Sequence, residues 1–64
     1  MMVPFIDAET GKTIYVNPPQ VAVIFEGVNA QGEQLTMINL LNGNVATKQD
    51  MISVVNSIQG ELRG

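Results

Sequence analysis

Sixty-four residues with a net charge of −3 make at most one small domain, 1–64, whose own core is marginal. The chain has neither cysteine nor histidine, which excludes disulfides, thiolate metal sites, and the commonest general base and transition-metal ligand. Its basic residues, Lys12, Lys48 and Arg63, are scattered, which argues against nucleic acid, and no apolar run is long enough to span a membrane.

Of the usual supports for so short a chain, oligomerisation is the one left standing. No basic-then-apolar leader opens the sequence, so a soluble, cytoplasmic protein is expected.

Met2 to Ile6 is a short extended segment, and Pro4, which lacks an N–H, marks it as an edge-type strand. In the following turn, Asp7 can accept hydrogen bonds from N–H groups just after it, and Gly11 can supply a positive φ. Thr13 to Val16 is the return strand, rich in β-formers. Asn17-Pro18-Pro19-Gln20 is a rigid corner, because two prolines fix two φ angles and withhold two donors.

The central hairpin runs from Val21 to Leu41 and is apolar on almost every residue of both arms. Alternation puts Val21, Val23, Phe25, Met37 and Leu41 on one face. Ala22, Ile24, Ile38 and Leu40 share the other, with Glu26 beside them. The polar stretch Gly27 to Gln34 between the arms is expected to be the most mobile part of the chain.

Asn42-Gly43 predicts a type I′ turn with positive φ at both residues, returning into a short strand at Asn44 to Ala46. Thr47 to Asp50 resembles a capping box, so the helix is expected to begin at or next to Thr47. Met51, Val54, Val55, Ile58 and Leu62 form one apolar stripe at helical spacing. Gly60 is expected to mark fraying or a stop, with disorder open as a reading for 61–64. The fold class expected is α+β: a small antiparallel sheet or partly open barrel of four to five strands, followed by one C-terminal helix.

The order of these features is similar to that of the FlbD-like small proteins linked to bacterial flagella and swarming. The features are Gly11-Lys12 leading into Val16-Asn17-Pro18, then Val21 to Glu26, then Leu40-Leu41-Asn42-Gly43. Val45-Ala46-Thr47-Lys48 and the helix with Val54, Val55 and Ile58 complete the series. The resemblance covers most of the chain and is carried by turn residues and apolar periodicity, so it implies shared architecture more than shared function. The loop at Asn29 to Gln34 is longer than in that family, and the C-terminal segment is less charged. Very small β-proteins of this kind also occur in phage genomes.

Catalysis is disfavoured. Ser53 and Ser57 lie on the helix, and no histidine is present to activate either. Asp7 and Glu9 supply too few oxygens for a calcium or magnesium site, so no metal or cofactor is expected.

Asn39 stands in an otherwise apolar strand, where a buried amide without partners costs about 1–3 kcal/mol. Glu26 is a candidate companion on the adjacent arm. Tyr15 is either a surface aromatic or an interface anchor. One helix with one stripe can cover only one sheet face, and exposed apolar area is costly at about 25 cal/mol per Å². The candidate interface or ligand-facing set is therefore Tyr15, Ala22, Ile24, Glu26, Ile38, Asn39 and Leu40. The competing arrangement folds the N-terminal hairpin over the second face to close a barrel.

The expected function is a non-enzymatic, homo-oligomeric interaction or regulatory protein that binds a partner protein. The alternative is a phage-type module sequestering a small nucleotide signal in inter-subunit pockets.

Overall fold

The computed structural model describes residues 1–63, with the side chain of Arg63 excepted. Five strands precede one helix: β1 (Val3–Ile6), β2 (Thr13–Val16), β3 (Val21–Val28), β4 (Gln34–Leu40), β5 (Gly43–Thr47) and α1 (Met51–Arg63). They form a two-stranded sheet, β1-β2, and a three-stranded sheet, β3-β4-β5, antiparallel throughout. The two sheets do not close into a barrel.

The first hairpin turns as its sequence dictates. Asp7 Oδ2 accepts from the Thr10 N–H (3.2 Å) and hydroxyl (2.8 Å). The Asp7 carbonyl accepts from the Gly11 N–H (2.9 Å), and Gly11 takes φ +73°. Val3 and Val16 face each other, as do Phe5 and Ile14, and this face turns inward. The proline corner is a single 3₁₀ turn at Pro18–Gln20, with Pro18 buried.

The hairpin is tied to the second sheet at its tip. Asp7 bridges Thr47, and the Ala8 N–H donates to the Ala46 carbonyl (2.8 Å). These bonds occupy part of the outer edge of β5, one of the places where an unpaired sheet edge would otherwise lie open.

The core consists of Val3, Phe5, Val16, Ile38, Val54 and Ile58, with Ile14, Val21, Ile24, Leu40 and Val45 packed around it. Hairpin and helix thus lie against the same face of β3-β4-β5. The helix stripe follows its spacing: Val54 and Ile58 are buried, Met51 and Val55 half-buried, and Ile52 exposed. Leu62, at the end of the stripe, stays exposed.

Two buried threonines on the core-facing side anchor the link into the helix. The Thr36 hydroxyl donates to the Gln49 carbonyl (2.7 Å), and Thr47 Oγ1 accepts from the Gln49 N–H (3.4 Å). Threonine serves here because a β-branched side chain suits the strand while its hydroxyl satisfies buried backbone groups.

Several local expectations are corrected. Val21 pairs with Leu40, but Val23 pairs with Asn39, so Ala22 sits in a β-bulge. The extra residue breaks strict alternation and returns Val21 to the core-facing side with Ile24. The second turn lies at Leu41-Asn42, because Leu40 pairs with Gly43. Positive φ is confined, among the described residues, to Gly11 and Gly32, which excludes a type I′ turn at Asn42-Gly43.

Thr47 ends β5, and the helix starts at Met51. Its cap is Asp50, which accepts from the Ser53 N–H (3.1 Å) and hydroxyl (2.8 Å). Gly60 lies within the helix, which continues through Glu61 and Leu62, so the helix does not stop at Gly60. Gly64 lies outside the described residues.

Candidate functional site

With hairpin and helix on one side, no element among the described residues covers the other face of the three-stranded sheet. The register fixes its membership. Val23 lies opposite Asn39, and Asn39 opposite Asn44; Phe25 lies opposite Met37, and Met37 opposite Ala46. Gly27 lies opposite Leu35. Val23 is 52% exposed and Phe25 42%, so two large apolar side chains of this face stand in water.

A groove runs across this face. Leu35, Met37 and Ala46 line a cavity of about 540 Å³ whose rim includes Glu9, Glu33 and Lys48. A second hollow of about 330 Å³ shares Glu9, Met37 and Ala46 and reaches Asp7 and Asn44.

The loop between β3 and β4 is built around Asn29. Its Oδ1 accepts from the N–H groups of Gln31 (3.0 Å) and Glu33 (2.9 Å), and its Nδ2 donates to Glu33 Oε1 (2.9 Å). Gly32, at φ +79°, closes the turn. The loop is therefore a hydrogen-bonded turn. The Asn29 amide, and then the Lys48 ammonium 3.4 Å from Glu33, hold the Glu33 carboxyl below its ordinary range. With Lys48 engaged, the groove rim is acidic, so it suits apolar surface flanked by positive charge better than a phosphate.

The residues expected at an interface divide three ways. Ile38 is 0% exposed, at the centre of the chain's own core, and Ile24 and Leu40 pack around it. The face they share is the covered one. Tyr15 and Ala22 are exposed, but on different surfaces: Tyr15 (65%) lies opposite Pro4 on the outer side of the first hairpin, and Ala22 lies in the bulge.

Glu26 and Asn39 are not companions. Glu26 lies opposite Thr36 and accepts from Gln34 Nε2 (2.9 Å), whereas Asn39 lies on the open face opposite Val23. The Asn39 Oδ1 atom is buried and finds no donor among the described residues. The overlooked members of the open face are Val23, Phe25, Leu35, Met37 and Ala46. One signal could have found them: Asn39 and Asn44 lie in the middle of this face, while the middle of the opposite one carries Ile24, Ile38, Leu40 and Val45. A core tolerates the second pattern better.

Ser53 donates to Asp50 as part of the helix cap, and Ser57 is exposed. Among the described residues no group of three or more acidic side chains is gathered for a metal ion, and no helix is long and apolar enough to cross a membrane. Comparison with protein-family models, curated proteins and solved structures found no match to this chain.

Proposed function

We propose that this chain is a small cytoplasmic, non-enzymatic interaction or regulatory protein that binds a partner protein and works as a homo-oligomer. One observation carries this reading. Hairpin and helix cover the same face of β3-β4-β5, and the opposite face keeps Val23 and Phe25 in water above a groove floored by Leu35, Met37 and Ala46.

Burying such a surface against a partner is favourable at about 25 cal/mol per Å². The absence of histidine and cysteine, and the use of Ser53 in a cap, favour binding over catalysis. The nucleotide-carrier alternative gains nothing from the acidic rim, where Lys48 is already paired with Glu33.

Light scattering across a dilution series reads the homo-oligomer, and native mass spectrometry of protein purified from cells reads a bound partner. Masses above that of the single chain are expected in both. Val23→Asp should lose the bound protein while the chain still folds, since the side chain is half in solvent already. A folded wild-type chain that stays strictly monomeric and unaccompanied would overturn the proposal.

A further inference from the structure

We infer, building on the homo-oligomeric reading above, that two copies of this chain pair edge to edge through β3, antiparallel about a twofold axis at Phe25.

β3 is an outer strand of its sheet, and its free edge has a definite phase. The Asn29 N–H donates to the Glu33 carbonyl (3.0 Å), continuing the β3-β4 ladder one step beyond Val28 and Gln34. In an antiparallel ladder, bonded and non-bonded pairs alternate. Counting back from Asn29 and Glu33, the pairs Gly27 with Leu35, Phe25 with Met37 and Val23 with Asn39 exchange bonds. The N–H and C=O groups of Ile24, Glu26 and Val28 therefore point away from β4. Among the described residues no backbone hydrogen bond joins these three to another element.

That spacing is self-complementary. With Phe25 on the axis, Ile24 of one copy meets Glu26 of the other, and each such pair exchanges both N–H···O bonds. Phe25 then faces its own copy across a non-bonded pair with Cα atoms about 4.5 Å apart, on the open face, where aromatic pairs are favourable. Val23 falls opposite Gly27 of the second copy, beside the flexible Met37 side chain that lies over that glycine. The register centred on Glu26 would set two carboxylates directly opposite each other and is disfavoured.

Sheet edges are ordinarily blunted by lysine, proline or a β-bulge. Val21–Val28 contains neither lysine nor proline, its bulge at Ala22 lies at one end and leaves the register from Val23 to Val28 regular, and its one charge, Glu26, is engaged by Gln34 of its own hairpin. The edge measures about 24 Å by 10 Å, well short of the roughly 800 Å² per partner of a standard interface, so the dimer dissociates on dilution.

The test is sedimentation velocity from low micromolar to submillimolar concentration, on the wild type and Glu26→Pro. Proline removes an N–H that points outward and leaves the β3-β4 ladder intact. The wild type should shift toward dimer as concentration rises, and Glu26→Pro should stay monomeric with an unchanged circular dichroism spectrum. Phe25→Cys and Val23→Cys provide a second reading in a chain that lacks cysteine. Air oxidation should link Phe25→Cys into a dimer, because the paired Cα atoms lie within disulfide range, and should leave Val23→Cys unlinked. Self-association of a folded Glu26→Pro at wild-type strength would overturn the edge while leaving the homo-oligomer standing. Equal or faster linking of Val23→Cys would overturn the register, also where Glu26→Pro fails to fold. A wild type that is monomeric throughout would overturn both this inference and the homo-oligomer.

Discussion

Ile38→Ala separates the covered face of the central sheet from the open one. Ile38 is wholly buried among hairpin, sheet and helix. The substitution deletes three carbons, each worth about 0.8 kcal/mol of transfer, for a loss of about 2.4 kcal/mol. The cavity left between two sheets and a helix cannot fully collapse, which raises the cost to about 3–4 kcal/mol. For a domain of this size each kcal/mol lowers Tm by about 4–8 °C, so a fall of at least about 12 °C is expected. The control is Val23→Ala on the opposite face of the same sheet. It gives up the same β-branching, so the strand-propensity loss is shared, but its side chain is already 52% exposed and under 1 kcal/mol of burial is at stake, about half of two carbons. Thermal melts followed by circular dichroism at low protein concentration, where association does not contribute, measure both. A Val23→Ala melt depressed as far as that of Ile38→Ala would refute the assignment of faces.

Gly43→Ala should be neutral or stabilising by about 0.4–1 kcal/mol, because Gly43 has no positive φ and nothing lies within 4 Å of an added Cβ. Gly11→Ala should cost about 1–2 kcal/mol although its surroundings are equally open, because its φ of +73° is the obstacle. Urea titration ranks the two, and the reverse order would show that the turns have been exchanged. Asp50 and Glu33 are both held below their ordinary values of 3.8 and 4.5, Asp50 by the Ser53 bonds and Glu33 by Asn29 and then Lys48. A lowered folded value means stabilisation that is complete above the ordinary value and lost as pH falls through the folded one. Asp50→Asn should therefore flatten the fall of Tm on acidification below about pH 4, and an acid limb identical to that of the wild type would count against the cap.

Much of the fold could be read from the chain because its signals were local. Asp7 and Gly11 specify their turn through their own hydrogen bonds and φ, and Pro18-Pro19 bends the chain whatever surrounds it. The spacing of Val54 and Ile58 names the buried side of the helix. Three features depended on partners distant in sequence. The bulge at Ala22 is set by how Val21 reaches Leu40, and a single extra residue moved Val21 across the sheet. The helix cap moved from Thr47 to Asp50 because Thr47 is taken up by β5 and by Gln49. The choice of sheet face rested on where the first hairpin docks, and its tip is held by Thr47 and Ala46, near the other end of the chain. That docking turned Ile24, Ile38 and Leu40 inward and left Val23 and Phe25 as the candidate site.

The clasp between Asp7-Ala8 and Ala46-Thr47 also bears on how the chain folds. Local pairing can join β3, β4 and β5 early, since each hairpin closes a short loop, whereas the clasp and the core joining Val3 and Phe5 to Val54 and Ile58 must close long ones. In refolding, the three-stranded meander therefore forms before the first hairpin and the helix dock on it. During that interval Ile24 and Ile38 on one face and Val23 and Phe25 on the other are bare together. Such a chain is open to misassembly before its native stability can protect it, so its refolding yield should respond to holdase chaperones and to protein concentration more than to substitutions that raise the equilibrium Tm.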